Sequence, residues 1–395
     1  MNNKTPSISI PMSSPDLTDL ERQAVLDVVE TRHLSMGPKI KEFEQAIQTF
    51  CGSKFAIGVN SGTSGLHLCL LAAGIGPGDL VLTTSFSFIS STNVILYCGA
   101  IPVYVDVDPR TGNIDPVQLE QAVQDIQAGG EKAKKWLPRK GMENAGSLKA
   151  ILSVDVFGQP ADHDTINRIA KKYNLVHIED SCEALGSVYK DRPAGTLGDF
   201  GVFAFYPNKQ ITTGEGGMVI TNDEKAAIHM ASLRNQGRAV GDTWLSHTHL
   251  GYNYRLNEMS AALGVAQMSR FNDLRASRSQ VAQWYNQRLN NLPGLSLPYI
   301  TTDTTLMSWF VYVVHFENRA ERDRMAQSLT DENIPVRPYF IPIHIQPFIV
   351  NQFGYQAEDY PITMSLGERG LAIPFSGVMT EEQVDFVSQK IKHYL

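Results

Sequence analysis

The stretch FAFYPNKQITTGEGGMVITN (203–222) has an apolar run on each side of a loop that carries Lys209. A second stretch, LVHIED (175–180), is an apolar run that ends in the carboxylates Glu179 and Asp180. Short apolar runs bounded by turn residues predict buried strands. Lys209 is therefore expected on a loop after one strand, and Asp180 at the carboxyl end of another.

A lysine and an aspartate in these two positions fit the needs of pyridoxal phosphate (PLP). A lysine amine can bind the aldehyde of PLP covalently, and a carboxylate can keep the pyridine nitrogen protonated, so that the ring acts as an electron sink. The glycines in TTGEGG (212–217) favour a tight turn that fixes the lysine loop. Each residue has an alternative interpretation when it is considered alone. Lys209 could be a surface lysine, and Asp180 could be a helix cap or a salt-bridged side chain.

Further apolar runs alternate with helical patterns through the first part of the chain. The predicted strands are FAIGVN (55–60), LVLTT (80–84), IPVYVDV (101–107), AILSVDVFG (150–158), LVHIED (175–180), GVFAFY (201–206) and GMVITN (217–222). Short buried strands with interleaved helices predict an α/β fold whose sheet is covered on both faces. Ligands gather at the carboxyl ends of the strands in such sheets. Residues that follow these strands are therefore the candidate site.

The pattern changes near residue 250, which predicts two domains. Residues 1–250 are expected to form a large domain and residues 251–395 a smaller C-terminal α/β domain. In the second part a long helical region begins near residue 257 and precedes a predicted strand at 308–316. Residues 127–147 are Gly-rich and basic without a sustained apolar period, so we expect a surface insertion there.

The composition is that of a soluble globular protein. The 395 residues are 43% hydrophobic and 19% charged, and the net charge of −7 argues against a nucleic-acid partner. No run of 18 apolar residues predicts a membrane span, and the N-terminus shows no signal-peptide pattern. The four cysteines show no CxxC pair. We expect a cytoplasmic protein with reduced thiols and no metal site.

Two further segments supply candidate cofactor contacts. Gly62 and Thr63 lie in SGTSG (61–65), between a predicted strand and a helix. Small residues let backbone N–H groups approach a phosphate, and a helix N-terminus attracts an anion. Phe88, in TTSFSFIS, is a candidate for stacking on the cofactor ring. A plain helix cap and a core aromatic are the alternatives.

Longer motifs extend these signals over nearly the whole chain. They include SGTSGLHL (61–68), the segment 178–223 from IEDSCEALGS to GGMVITND, LGYNYRLNEMSAALGVAQ (250–267) and RPYFIPIHIQPF (337–348). In this order they resemble the nucleotide-sugar aminotransferases of the DegT/StrS type, which are PLP enzymes of the aspartate-aminotransferase fold (fold type I). The resemblance implies a large domain with a mostly parallel mixed sheet.

The resemblance also implies roles for individual residues. Lys209 matches the lysine that binds PLP covalently, and Asp180 the partner of the pyridine nitrogen. Gly62 and Thr63 match the phosphate cradle, and Phe88 the aromatic residue that stacks on the ring.

The same resemblance implies a homodimer with shared active sites, because Asn253 in GYNYR matches a phosphate contact made to the partner subunit. Two positions depart from the family pattern. Glu183 stands where many members have Gln or His near the phenolic oxygen of PLP, and a carboxylate there would be repelled unless protonated or turned away. Ala204 replaces a serine close to the phosphate.

The implied reaction moves an amino group, expected from L-glutamate, to a keto group on a nucleotide-linked deoxysugar. Arg337 and His344 are candidate substrate contacts, with packing or a surface ion pair as the alternative. A keto-cyclitol aminotransferase would share every motif. A sugar dehydratase of this family replaces the lysine with histidine, and a non-catalytic PLP sensor would not need Lys209 and Asp180 intact.

Overall fold

The computed structural model describes residues 9–239, 241–243 and 245–395. The helices are α1 Asp19–Thr31, α2 Pro38–Cys51, α3 Gly62–Ala72, α4 Ser90–Tyr97, α5 Pro116–Ala128, α6 Gly130–Lys134, α7 His163–Tyr173, α8 Glu224–Arg234, α9 Glu258–Ser269, α10 Phe271–Leu289, α11 Arg319–Asp331, α12 Pro347–Phe353, α13 Pro361–Arg369 and α14 Glu381–Tyr394. The strands are β1 Phe55–Val59, β2 Leu80–Thr84, β3 Ile101–Val105, β4 Leu148–Val154, β5 Val176–Asp180, β6 Val188–Tyr189, β7 Arg192–Pro193, β8 Phe200–Ala204, β9 Gly217–Thr221, β10 Leu295–Ser296, β11 Thr304–Leu306, β12 Tyr312–Phe316 and β13 Gly370–Ile373.

A seven-stranded sheet in the order β1-β9-β8-β5-β4-β2-β3 organises the large domain. β9 pairs antiparallel with β1 and with β8, whereas the pairs from β8 to β3 are parallel. Asp180 is in register with Val154 of β4 and with Val202 of β8. The predicted strands and the mostly parallel sheet are confirmed. Because all strands except β9 run the same way, their carboxyl ends share one edge.

Both faces of this sheet are covered by helices. On one face, α3, α4 and α8 contribute Leu66, Val94 and Met230 to a core that includes alternate strand residues. On the other face, α2, α5 and α7 pack over the intervening residues. The helix predicted from Ile40 and Phe43 is confirmed as α2, and it ends at Gly52, which has a positive φ of 72°.

The smaller domain is built on a three-stranded antiparallel sheet, β10-β12-β13, against which α10, α11 and α14 pack. The division at residue 250 stays a prediction. Some residues before 250 pack in the smaller domain, and some residues after 250 contact the large domain. Ile10 packs in the core of the smaller domain, and Phe375 N donates to Met12 O at 3.0 Å. Ile343 N in turn donates to Ser85 O of the large domain at 2.9 Å.

Three predicted elements differ from the structure. The strand predicted over 150–158 ends at Val154, and Val156–Gly158 form a 3-10 helix. The strand predicted over 308–316 begins only at Tyr312, because the carbonyls of Trp309 and Phe310 accept from the Arg278 guanidinium instead of a neighbouring strand. The long helical region is two helices, α9 and α10, which meet at Arg270. Arg270 there donates to Glu21 at 2.6 Å, so the break serves a tertiary contact.

The segment 127–147 is ordered and packs against the large domain. It contains α6, and the indole of Trp136 donates to Asp125 at 2.9 Å. Arg139 makes two hydrogen bonds of 2.6 Å to the carboxylate of Asp359. This segment is absent from the lining of the cavity described below. Among the described residues, no helix combines the length and the apolar character that crossing a bilayer requires.

Candidate active site

A cavity of about 460 Å³ opens at the carboxyl edge of the large sheet. It is lined by residues that follow β1, β2, β5 and β8 and by a segment from the smaller domain. Six of the predicted site residues line it, namely Gly62, Thr63, Phe88, Asp180, Glu183 and Lys209. Parallel strands bring these six together although they span almost 150 positions of the chain.

Lys209 occupies a turn after β8, where its backbone N–H donates to Tyr206 O at 2.9 Å. Its ammonium nitrogen Nζ lies 3.8 Å from the centroid of the Phe310 ring and 3.6 Å from Glu183 Oε1. An amine between an aromatic face and a buried carboxyl is held in one region of the cavity. It is therefore placed to meet a bound aldehyde.

Asp180 ends β5, and 7% of it is exposed. Burial raises the pKa of Asp180, while hydrogen bonds from Cys182 and the charge of Lys209 act in the opposite direction. The backbone N–H of Cys182 donates to Asp180 Oδ1 at 3.2 Å. A protonated ring nitrogen beside this carboxyl would favour its ionised form, because an opposite charge lowers a carboxyl pKa.

The N-terminus of α3 forms one wall of the cavity. Ser61 is the N-cap residue, and its hydroxyl accepts from Ser64 N at 3.1 Å. A Cβ atom on Gly62 would lie 2.7 Å from Cys182 Sγ and 2.8 Å from Ala204 Cβ, so only glycine fits. The first N–H groups of a helix have no partner inside the helix, which suits an anion. Thr63 adds a hydroxyl, which lies 2.9 Å from Ser90 Oγ.

Glu183 is turned toward the main chain of a neighbouring loop. Its Oε2 accepts from Phe157 N at 2.8 Å, and its own carbonyl accepts from Gln210 Nε2 at 2.6 Å. Burial raises the pKa of Glu183, against the lowering effect of Lys209 and of the Phe157 hydrogen bond. The hydrogen bond from Phe157 N and the raised pKa would both reduce the repulsion of a phenolate, and the role of Glu183 toward the cofactor stays a prediction.

The residues present fit PLP. Gly62 leaves space at a helix N-terminus for a phosphate, Asp180 supplies a carboxyl for a ring nitrogen, and Lys209 supplies an amine for an aldehyde. Asn208, which also lines the cavity, has a buried Oδ1 without a hydrogen-bond partner among the described residues. Ser87 and Ala204 both line the same cavity, and Ser87 contributes a hydroxyl to its wall.

Asn253 and Arg337 lie outside the cavity lining. Asn253 is exposed, pairs with Asn235 in an isolated bridge, and its carbonyl accepts from Asn60 Nδ2 at 3.4 Å. Arg337 is exposed beside the cavity residue Tyr339, and its Nη1 donates to Val336 O at 2.9 Å. Their roles toward cofactor and substrate stay predictions.

His344 is fully buried and also lies outside the cavity lining. Its Nδ1 is 2.5 Å from Ser85 Oγ, and its ring packs edge-on against Tyr360 at 4.9 Å. Burial lowers the pKa of His344 to about 4, so the ring is neutral. The geometry favours the packing alternative, and a substrate contact by His344 stays a prediction without structural support.

The sequence reasoning missed Phe310 and Tyr339 of the site, and also Arg278, which contacts the lysine loop from outside the cavity lining. Phe310 and Tyr339 line the cavity from the smaller domain. Arg278 donates to the backbone carbonyls of Asn208 and Lys209. An arginine between Leu274 and Val281 on the apolar face of α10 was a readable signal, because a buried guanidinium needs partners.

Comparison with known proteins identifies the family of this chain. Residues 15–392 match the DegT/DnrJ/EryC1/StrS aminotransferase family. The GDP-perosamine synthase of Caulobacter vibrioides is 38% identical over 97% of this chain and 96% of its own. The spore coat polysaccharide biosynthesis protein SpsC of Bacillus subtilis is 36% identical over 97% and 96%. The PLP form of the putative sugar aminotransferase Spr1654 from Streptococcus pneumoniae superposes with a TM-score of 0.86, at 26% identity over 98% of each chain.

The chain therefore belongs to the DegT/DnrJ/EryC1/StrS aminotransferase family. It is a PLP-dependent sugar aminotransferase of fold type I, as the sequence predicted.

Proposed function

We propose that this enzyme transfers the amino group of L-glutamate to the keto group of a nucleotide-linked deoxysugar. The observation that carries the proposal is the meeting of Lys209 Nζ, the Asp180 carboxyl and the α3 N-terminus in one cavity. When bound there, PLP would supply an aldehyde that accepts the amino group and a ring that stabilises negative charge. The side chains of the protein would bind and orient the reactants and transfer the protons.

Lys209 is assigned two tasks. Its amine binds the aldehyde in the resting enzyme, and once released it carries a proton to and from the donor carbon. Phe310 covers the amine on one side, which limits the directions in which Nζ moves. Asp180 would hold a proton on the ring nitrogen, and Glu183 keeps its hydrogen bond from Phe157 N.

Aromatic side chains favour a sugar nucleotide at the mouth of the cavity. Phe88, 62% exposed, and Tyr206, 53% exposed, lie on the large-domain side, and Tyr339 lies on the other. Exposed rings at a cavity mouth suit stacking on a cofactor, a sugar or a base. Arg337 beside Tyr339 is a cation of the kind that binds a diphosphate, because guanidinium groups pair well with phosphate oxygens.

A spectral experiment tests the amino donor. The PLP-loaded enzyme is mixed with L-glutamate alone, and we expect the cofactor absorbance to change while 2-oxoglutarate is released. L-Glutamine and L-aspartate are run beside it to compare donors. Unchanged spectra with all three would refute the transaminase half-reaction.

A panel of ketones tests the acceptor. The amino-loaded enzyme is offered GDP-, dTDP-, UDP- and CDP-linked keto-deoxysugars, the free sugars, and a keto-cyclitol. A GDP-linked sugar comes first because of the perosamine synthase relative. We expect a nucleotide-linked sugar to restore the starting spectrum fastest. A preference for the free cyclitol would replace the nucleotide-sugar assignment with the cyclitol one.

We also propose a homodimer in which Asn253 completes the partner's site. Its exposure and its absence from the chain's own cavity lining support this. Lys209→Ala subunits mixed with Asn253→Ala subunits should form hybrids in which one of the two sites carries neither defect. Activity should return in hybrids purified by two affinity tags. Verified hybrids that stay as inactive as both parents would assign Asn253 to its own subunit or to no site.

A further inference from the structure

A buried guanidinium contacts the main chain of Lys209 from outside the cavity. Arg278 is 4% exposed and donates to four backbone carbonyls. Its Nη2 lies 3.1 Å from Asn208 O and 2.5 Å from Lys209 O. Its Nη1 lies 3.3 Å from Trp309 O and 3.2 Å from Phe310 O. The same group thus joins the loop of the lysine to the segment that supplies Phe310.

No carboxylate among the described residues pairs with Arg278. Burial lowers its pKa to about 10, and no neighbouring charge raises it. A buried cation whose partners are carbonyls and the face of the Phe375 ring, at 5.9 Å, costs more free energy than a neutral residue of similar shape. Such a group contributes little to the stability of the fold. Its hydrogen bonds are therefore better explained by the two backbone segments that they hold in place.

Arg278 lies where α10 passes from one domain to the other. Leu274, one turn earlier, packs in the core of the large domain, and Val281 packs in the core of the smaller domain. The guanidinium is therefore fixed by neither core alone. Its two pairs of hydrogen bonds connect the domains at the position of the reactive amine.

Phe310 shows why this connection matters for Lys209. The Phe310 ring lies 3.8 Å from Nζ, so the amine is confined between this ring and its own backbone. Because Arg278 bonds to the backbone carbonyls of both Lys209 and Phe310, it sets the distance between the Lys209 backbone and the Phe310 ring. A guanidinium is a planar fork with five donors, whereas a lysine ammonium has three donors and no fork. Four carbonyls on two segments suit arginine in particular.

We propose that Arg278 is a positioning residue that fixes the main chain of Lys209 relative to Phe310 and so sets the placement of the reactive amine. The proposal rests on the proposed role of Lys209. Arg278 is absent from the cavity lining, and its effect passes through Lys209. The position of the smaller domain relative to the large domain then determines the rate at which Nζ reacts with the aldehyde.

The rate at which the apoenzyme binds PLP covalently tests the proposal. Samples are reduced with borohydride at timed intervals, and the labelled peptide is quantified by mass spectrometry, well below the melting temperature of each variant. Arg278→Lys should slow labelling of Lys209 by about tenfold or more. The control is Arg322→Lys. Arg322 is buried too, at 8% exposed, and donates to the carbonyls of Gly367 and Gly370 in the smaller domain instead of to the lysine loop.

We expect both variants to lower Tm and only Arg278→Lys to slow labelling. Labelling of Arg278→Lys within about twofold of wild type would overturn the proposal, as would an equal slowing in Arg322→Lys. A wild-type label on another lysine would instead refute the assignment of Lys209 itself, so the two failures are distinguishable.

Deuterium exchange of the wild type covers the case in which Arg278→Lys does not fold. Covalent binding of PLP should slow exchange of the backbone amides at 206–211 and also at 277–280, which lie outside the cavity lining. Slowing that stops at the residues lining the cavity would overturn the proposal.

Discussion

Two groups of titratable side chains lie on opposite faces of one sheet edge, and only one of them is open. Glu179 and Asp180 are neighbours in β5, so their side chains point to opposite faces. Asp180 faces the cavity that holds Lys209. Glu179 faces a closed cluster with Asp155 and His163, in which all three residues are fully buried.

The closed cluster has the composition of a metal site, but its members already bond to one another and to the main chain. His163 Nε2 lies 2.8 Å from Asp155 Oδ1 and 3.5 Å from Glu179 Oε1. The Glu179 carboxylate accepts three backbone N–H groups from the turn at 195–198. Burial opposes charge on His163, but Glu179 and Asp155 raise its pKa to about 9.

The comparison teaches that a shifted pKa does not identify a site by itself. In the closed cluster the carboxylate oxygens are already used in hydrogen bonds, so the group ties loops to the sheet. In the open cluster the Lys209 amine and the Asp180 carboxyl face a cavity large enough for a cofactor. A cluster is a candidate reactive site when its polar atoms lack hydrogen-bond partners and face a cavity, and a structural one when they do not.

The largest effect is expected from Lys209→Ala. The variant should fold and bind PLP without a covalent bond, because the phosphate and ring contacts are separate from the amine. Turnover should fall by about five orders of magnitude or become undetectable, which corresponds to about 7 kcal/mol. Borohydride reduction followed by denaturation should leave no label, with Lys190→Ala as a surface control. Stable label in Lys209→Ala would place the covalent site elsewhere.

A smaller loss of activity is expected from Asp180→Asn. Asparagine can still hydrogen-bond the ring nitrogen but cannot favour its charge, so the barrier should rise by about 3–5 kcal/mol, or two to four powers of ten. PLP binding and Tm should change little. Glu179→Gln offers the matched change on the opposite face. Near-normal turnover of Asp180→Asn with PLP bound would mean that another group pairs with the ring nitrogen.

Asp155→Asn should affect stability instead of chemistry. Removing one member of a buried charged pair costs about 3–5 kcal/mol of unfolding free energy. Chemical denaturation should show this loss, while covalent labelling of Lys209 in the folded protein should stay within about threefold of wild type. Asp303→Asn breaks a surface pair with Lys190 and should cost less than about 1 kcal/mol. Slow labelling in Asp155→Asn would make the closed cluster part of the reactive one.

The smallest effect is expected in the pH dependence of Glu183. Burial raises its folded pKa above 4.5, so the folded chain binds more protons than the unfolded chain between the two pKa values. The unfolding free energy of the apoenzyme should therefore fall as the pH rises from about 4.5 through that window. Glu183→Gln cannot ionise and should flatten this part of the profile, whereas Glu143→Gln on the surface should not. Parallel profiles for all three proteins would show that Glu183 titrates normally.

Much of the fold and of the cofactor site was readable in the sequence because both depend on local patterns. Apolar runs placed the strands, and the carboxyl ends of parallel strands share an edge whatever the loops do. The prediction failed at 308–311, where apolar residues look like a strand but their carbonyls bind Arg278. It also gave no position for His344, whose burial depends on the return of the chain to Ser85.

By itself the sequence determined the α/β class, the family, the cofactor and the pair of Lys209 and Asp180. These follow from short motifs that can be read in order along the chain without knowing how distant segments pack. Only the tertiary structure decided that Glu179 is closed off while its neighbour Asp180 is open, and that Arg278 holds the lysine loop to Phe310. Such contacts join positions tens of residues apart, and whether a polar atom stays free depends on every segment that packs around it.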